Sequence, residues 1–440
     1  MLSASAARPE QTAVSLPTTA SPSPSIPPGS TDPKAPLHPQ TPATAAIAAS
    51  GRSGPRSPAF RTWDPRRFPG WAQALLILLA SRLLVAFVVY RAARTAPVRP
   101  GRPRRGYWDI LNAWDGTWYE RTVTSGYPEQ LPLGADGAVA PNTWAFYPIF
   151  PRLTDLVMHL TGMDWSPSAT VVNLGCAAAA VVLLRKLVAE LAGPRLALWT
   201  VALLCFFPSA AVLQLPYAES PAILLLVTAF WLLHRHRYWF AVPVLLLIGL
   251  TRPVAVPMTV VLTVHLMLRL RESRRLRGNI GLLAAWAASG VAAIEWPLIA
   301  WYGTGVPDAY TRTMAGWRTP HEVVVLRPWL VYSERMLGQV VGPVVLVAAL
   351  AAYVWWLTRP RAGIIGTDLR VWSAAYVVYL LAVLESFTSL PRYLLPLFPL
   401  GTLLAAQSSS RAYRITLAVA GAILGVIWIL AIWRTQRLAP

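Results

Sequence analysis

The stretch NAWDGTWYERTVTSGYP, Asn112 to Pro128, sets Asp115 among Trp114, Trp118 and Tyr119. A carboxylate can take a proton from a hydroxyl, and aromatic rings can wall a sugar. On a helical turn Asp115 projects with Trp118 and Tyr119, three and four residues on. A carboxylate in partly apolar surroundings holds a proton more tightly than one in water, which suits general-base work. The same residues also fit a helix N-cap with interfacial aromatics. From these residues alone both readings stand. Asp109, six residues earlier in YWDIL, is a rival acid and could instead cap a helix.

Other charged residues recur in otherwise apolar sequence. Glu219 follows Tyr217 in QLPYAESP, Arg252 lies in GLTRPVA, and Arg392 and Tyr393 close ESFTSLPRY, which opens with Glu385. An arginine fork suits a phosphodiester and stabilises the charge that grows on a phosphate leaving group. The alternative for Arg252 and Arg392 is snorkelling to lipid headgroups. Glu219 could bind a sugar hydroxyl or orient Arg252; the alternative is a charge placed at a helix N-terminus. Tyr217 lines the same pocket or anchors at the interface. Arg82 lies near the middle of the first apolar run, in ASRLL, where a lone arginine requires a partner inside the bundle. An acid and a lipid-phosphate groove are both open as that partner. His234 and His236 in HRHR have a metal-like spacing, but their arginine neighbours argue against a metal. There is no H-E-x-x-H, DxD or P-loop motif, and no metal or cofactor is expected.

These residues must be positioned by a particular kind of scaffold. The chain has 440 residues, 55% of them hydrophobic and 13% charged, with a mean hydropathy of +0.46. Apolar runs near twenty residues recur, which fits an all-α polytopic membrane protein and not a soluble core. The net charge of +20 sits in short loops and the N-terminal tail, a pattern of membrane topology and not of a nucleic-acid groove. Cys176 and Cys205 both fall in apolar runs, so no disulfide framework is expected.

Residues 1–68, rich in Pro, Ser, Thr and Ala, cannot bury enough apolar surface to order and are expected to be a disordered cytoplasmic tail. No apolar signal core opens this tail, so the run from Trp71 to Ala92 reads as an uncleaved first span. Residues 69–435 form the membrane domain, and 436–440 a short C-terminal tail. Runs and breakers place helices near 71–92, 167–187, 195–213, 219–234, 239–250, 253–269, 280–301, 338–358, 371–387, 391–407 and 412–433, about eleven spans. The segments 239–250 and 253–269 are short and read as tilted, or as one pair broken at LTRPVAVP. The segment 146–162 reads as an interfacial or re-entrant helix.

Arginine excess in RKLVAELAGPR, HRHR, RLRESRRLRG, RPRAG and SSSRAYR puts those five loops on the cytoplasmic side, with the N-terminus. The basic run RAARTAPVRPGRPRR conflicts with this, but it opens a loop of roughly fifty residues or more, where the charge rule is weak. The opposite face then collects external loops at about 93–166 and 302–337, with Asp115, Glu219, Glu295, Glu385, Arg252 and Arg392. Their gathering at one depth implies a polar chamber in the outer leaflet. The loop 302–337 adds Tyr310, Arg312, Trp317, Arg318, Arg327 and Trp329, a wall for donor or acceptor or else an aromatic belt.

WDG in the first external loop, then AFYPIFPRL, CFFPSAAVLQLPYAESP, GLTRPVAVP and PRYLLPLFPL, in that order, resemble the GPI mannosyltransferase 2 (PIG-V) family, most of all its bacterial members. The resemblance covers about residues 70 to 435. It implies a GT-C-like bundle, a polyprenyl-phosphate-mannose donor, inverting transfer and no nucleotide-sugar site. WDGTWY fits the family pattern W-D-x-x-[HWY]-[FY], and the acceptor-activating acid of that pattern falls on Asp115. The expected protein is therefore a plasma-membrane mannosyltransferase of the cell envelope, acting on an extracytoplasmic lipid, glycan or protein acceptor. Its partners are the polyprenyl-phosphate-sugar donor, that acceptor and membrane lipids. Asp115 is the expected base, and Trp114, Trp118, Tyr119, Tyr217, Glu219, Arg252, Arg392 and Tyr393 the expected substrate-binding set. Another sugar from a similar lipid carrier is a neighbouring possibility. The reading from a different class is a transporter or lipid flippase with a charged outer-leaflet vestibule. A transporter calls for charges or broken helices near the midplane, often in two repeated halves, and no convincing repeat is present.

The topology has a direct check. Cysteines introduced at Ser125 and Ser273 are expected to react with a membrane-impermeant maleimide from opposite sides. Labelling of both from one side would overturn the assignment.

Overall fold

A computed structural model describes residues 68–96, 105–272, 279–318, 324–384 and 388–434. The 1–68 tail except its last residue, the 436–440 tail and Glu385 lie outside them. The described residues are helical, with one isolated β-bridge between Leu133 and Val139. The helices in order are α1 (Gly70–Thr95), α2 (Tyr107–Leu111), α3 (Asp115–Thr124), α4 (Ile149–Thr161), α5 (Trp165–Ala192) and α6 (Pro194–Cys205). Then come α7 (Glu219–His234), α8 (Tyr238–Gly249), α9 (Ala255–Glu272), α10 (Ile280–Thr304), α11 (Ala309–Gly316) and α12 (Arg327–Leu337). The chain closes with α13 (Val341–Thr358), α14 (Gly366–Val383), α15 (Leu390–Tyr393), α16 (Pro399–Ala406) and α17 (Arg411–Ile429).

Among the described residues, six segments are long and apolar enough to cross a membrane: Gly70–Thr95, Trp165–Ala192, Ile280–Thr304, Val341–Thr358, Pro360–Val383 and Arg411–Trp433. Pro194–Cys205, Glu219–His234 and Tyr238–Gly249 are apolar but shorter. The outward faces carry the signature of a lipid solvent. Leu79, Leu83 and Phe87 on α1, Val344, Val347 and Val354 on α13, and Val419, Ile423 and Ile427 on α17 are all exposed. In water such stripes would drive aggregation; in a bilayer they face hydrocarbon. The protein is a multi-pass helical membrane protein. The segment 146–162 forms α4, closed by Gly162 in the left-handed region at φ 71°. At ~20 Å, α4 is too short to span.

The expected continuous span over 195–213 is broken. Pro208 cannot donate to a helical ladder, and α6 stops at Cys205. Residues 209–220 nonetheless stay buried, so their polar backbone needs partners from elsewhere. Three side chains supply them. Arg82 of α1 donates from Nη1 to Ala210 O at 2.6 Å and from Nη2 to Cys205 O at 3.2 Å. Asn173 of α5 donates from Nδ2 to Leu215 O and, at 3.0 Å, to Tyr217 O. Ser220 Oγ donates to Leu213 O at 3.1 Å. Ser209 Oγ donates outward, to Pro391 O at 2.6 Å, and so ties this break to a second one at α15. The expected span over 391–407 is likewise divided into α15, a 3-10 turn at Leu395–Leu397 and α16. There Trp372 Nε1 of α14 donates to Pro396 O at 2.9 Å. The partner of Arg82 is thus not an acid; it is a pair of buried backbone carbonyls, Cys205 O and Ala210 O, on either side of a helix break.

Replacing Arg82 with leucine strips the carbonyls of Cys205 and Ala210 of their donor, at about 1–3 kcal/mol each. The Arg82→Leu protein is expected to melt at a lower temperature in detergent, and Arg82→Lys, with no fork, to recover only part of the loss. An unchanged melting temperature for Arg82→Leu would count against this role.

Candidate active site

The two breaks deliver their residues to one end of the bundle. Glu219 opens α7 just after the buried 209–218 segment, Arg252 follows α8, and Arg392 lies in α15. Asp115 is the first residue of α3, where its charge also suits the helix N-terminus. The residue before it, Trp114, has φ 65° and ψ −120°. That is a costly backbone for a large side chain, of the kind held in place by surrounding structure and found at functional sites. Gly116 follows because a Cβ there would come within 2.8 Å of Asn112 Oδ1. The Asn112 side chain cannot easily yield, since it accepts from Trp165 Nε1 at 2.8 Å and donates to Glu120 Oε2 at 2.6 Å.

Two ion pairs form the centre. Arg392 Nη1 donates to Asp115 Oδ2. Arg252 Nη1 lies 2.5 Å from Glu219 Oε1. Glu219 and Arg392 are deeply buried, with side chains 2% and 6% exposed, whereas Asp115 retains 24%. Asp115 is thus the charge of the four most open to an incoming group. The Tyr393 ring lies 5.1 Å from the Arg392 guanidinium carbon and 5.4 Å from that of Arg252. The Tyr217 ring lies 5.5 Å from Arg392, and its hydroxyl donates to Ala113 O at 3.1 Å. Both guanidinium groups are therefore steered by aromatic faces as well as by carboxylates. Two atoms of these pairs, Glu219 Oε2 and Arg392 Nε, are buried with no hydrogen-bond partner among the described residues, as are Trp114 Nε1 and Gln214 Oε1 in nearby sequence.

Tyr119 is buried and within electrostatic reach of Asp115, Glu219, Arg252 and Arg392. Burial pushes its hydroxyl, and that of Tyr217, well above the usual phenol range, so neither titrates near neutrality. Trp118 lies in a neighbouring aromatic group. It stacks on Phe146 with centroids 5.8 Å apart and meets Trp317 edge-on at 4.9 Å, while Tyr119 packs edge-on against Phe146 and Phe150. Trp317 comes from the 302–337 segment, so that segment supplies part of the wall. Tyr310 from the same segment shares a 2.9 Å hydroxyl contact with Tyr147.

Other expected members stand apart. Asp109 Oδ2 accepts the Gly106 N–H at 2.8 Å and caps α2. Glu295 of α10 lies against Gly249, where any Cβ would come within 2.2 Å of its Oε1. Trp329 Nε1 is bound to Leu380 O at 3.2 Å. His234 faces Glu190 at 3.5 Å, and His236 meets Arg269 and Tyr238, each at 2.9 Å, at the opposite helix ends. Sequence reasoning did not single out Asn112, Phe146 or Tyr147. The motif AFYPIFPRL contained two of them, and Asn112 stands two residues before the WDG.

No protein-family model matches the chain, and no curated protein matches it. Among solved structures it is similar to ArnT from Cupriavidus metallidurans bound to undecaprenyl phosphate. The identity is 13%, 82% of this chain and 76% of that chain are covered, and the TM-score is 0.46. It is also similar to the Archaeoglobus fulgidus oligosaccharyltransferase in complex with Zn and sulfate (11% identity, 82% of this chain, 53% of that one, TM-score 0.40). The same enzyme tethered to an acceptor peptide containing the NVT sequon gives 11% identity, 83% and 56% coverage and a TM-score of 0.41. The chain spans about half the length of those archaeal chains.

The Glu219–Arg252 pair gives an asymmetric prediction. Arg252→Gln leaves a deeply buried carboxylate without its cation, a loss of about 3–5 kcal/mol. Glu219→Gln is expected to cost less, because Arg252 is more exposed and keeps the Tyr393 face. The double variant is expected to melt above Arg252→Gln alone; equal losses with no recovery would contradict the pairing.

Proposed function

We propose that the protein is a polytopic membrane glycosyltransferase of GT-C type that moves mannose from polyprenyl-phosphate-mannose to an extracytoplasmic lipid, glycan or protein acceptor. The observation that carries this reading is the direct pairing of Asp115, the most open of the four charges, with the buried Arg392. One site then holds a carboxylate for an acceptor hydroxyl and a guanidinium for a phosphate. In the reaction Asp115 takes the acceptor proton as the acceptor oxygen bonds to the sugar C1. The bond from C1 to the phosphate oxygen breaks, and polyprenyl phosphate leaves with the extra negative charge. Arg392, with Arg252 beside it, stabilises that charge. Attack from the face opposite the phosphate inverts the anomeric centre. Glu219 Oε2 and Trp114 Nε1 offer an acceptor and a donor to sugar hydroxyls, with Tyr217, Tyr393 and Tyr119 as walls and Trp118 behind them.

Mannose, membership of the PIG-V family, the count of about eleven spans and the cytoplasmic N-terminus rest on the ordered motifs and the arginine distribution. A transporter would show charges or broken helices near the bilayer midplane, often in two repeated halves. The broken stretches are common to both readings; the lack of a convincing repeat in the sequence and the position of both pairs at helix ends favour chemistry on a headgroup.

Membranes carrying the protein, supplied with labelled polyprenyl-phosphate-mannose and a panel of acceptors, are expected to form a labelled product. Asp115→Asn is expected to lower that rate by about 10²–10⁴-fold, the range for a lost general base. Full transfer by the variant would remove Asp115 from the role. No transfer of any lipid-linked sugar by either protein would favour the transporter reading.

A further inference from the structure

Resting on the reading that Arg392 faces a lipid phosphate, the geometry points to a control on when Asp115 becomes a base. A carboxylate oxygen that accepts a charge-assisted hydrogen bond from a guanidinium has that lone pair engaged, so an acceptor hydroxyl must displace the donor to reach it. Asp115 Oδ2 is held in this way by Arg392 Nη1. Yet Arg392 itself is under-committed. Its Nη2 reaches only the Tyr393 hydroxyl, at 3.5 Å, and its Nε has no partner among the described residues although the side chain is 6% exposed. Nε and Nη2 form one edge of the guanidinium, the edge that grips two oxygens of one phosphate. The edge facing Asp115 uses Nη1 alone. The Tyr217 and Tyr393 rings lie 5.5 and 5.1 Å from the guanidinium carbon and hold it by their faces rather than by further hydrogen-bond acceptors.

We propose that Arg392 is exchanged between Asp115 and the donor phosphate. With no donor present, the guanidinium neutralises Asp115. A seated phosphate takes the Nε/Nη2 edge in two hydrogen bonds and draws the cation off the carboxylate. Asp115 is then free to receive the acceptor hydroxyl proton. The base is switched on by the substrate it does not touch, and the donor must bind before the acceptor reacts. When polyprenyl phosphate departs, Arg392 returns to Asp115 and the site is reset.

The test measures binding of polyprenyl phosphate without its sugar to the full-length protein in nanodiscs, at fixed salt, in a double-variant cycle. Asp115→Asn abolishes the competing carboxylate and is expected to tighten binding at least fivefold. In the Arg392→Gln background the same Asp115→Asn change is expected to alter binding less than twofold. Arg392→Lys keeps the charge without the two-donor edge, and with it the effect of Asp115→Asn is expected to be intermediate. Each variant is taken forward on a retained melting transition, and the lysine cycle stands in if Arg392→Gln does not fold. A gain of the same size in every background would show simple removal of negative charge and overturn the exchange. No gain from Asp115→Asn in protein that does bind the lipid would overturn the exchange alone. Failure of the unaltered protein to bind polyprenyl phosphate at all would overturn the lipid-phosphate reading and the exchange with it.

Discussion

A carbonyl buried away from water must find a donor, and in this protein that requirement organises the rest. A helix satisfies its own backbone; a break inside a bundle does not. The chain breaks at Pro208 and again around Pro396, and in both places the stranded oxygens are met by side chains from other helices. Arg82, Asn173, Ser220 and Trp372 are spent on this. The reward is a run of non-helical chain that can hold Tyr217 and Glu219 at one end of the bundle and bring Arg392 to Asp115. Without those donors the breaks would be costly, and without the breaks the charged residues would point along ordinary helix faces.

The charges answer to a second constraint. Glu219 and Arg392 are too deeply placed to be left unpaired. Each is matched by a partner nearer the opening, Arg252 and Asp115, so every pair has one deep and one shallower member. Tyr393 stands against both cations and couples the pairs without adding charge. This arrangement confines net charge locally to near zero while leaving individual hydrogen-bonding atoms unmet. The strained backbone at Trp114 fits the same account, since it aims the first turn of α3 at Arg392 and is held by the packing around Asn112 and Trp165.

Much of this was legible in the sequence because lipid makes hydrophobicity a strong signal. Each expected helical stretch contains helix, and α1, α5, α7, α8 and α10 match within a few residues. Asp115, Glu219, Arg252 and Arg392 gather as part of the expected group of six, since a charge in an apolar run has few places to go; Glu295 stands against Gly249 instead, and Glu385 lies outside the described residues. The pairing of Glu219 with Arg252 was among the alternatives weighed. The acceptors of Arg82 were not, because a backbone carbonyl has no letter in the sequence; only the proline that strands it does. Nor could spacing tell that Trp118 turns toward Phe146 and Trp317 while Tyr119 stays by the charges. Positions three and four residues on differ by about 100° around a helix, and only the neighbours decide which side is the cavity. Six of the described segments meet the length and polarity of a span; the breaks leave the expected spans over 195–213 and 391–407 as shorter helices.

The Ser209 hydroxyl bound to Pro391 O joins two segments 182 residues apart, and its consequence is one of heritability. The two broken stretches are not independent modules. Transplanting 206–218 into a related scaffold without 389–396, or either without the α1 arginine, would carry over the interruption but not its repair. Shuffling this fold between relatives is therefore constrained to move both broken stretches together with the donors on other helices that meet them, Arg82, Asn173, Ser220 and Trp372.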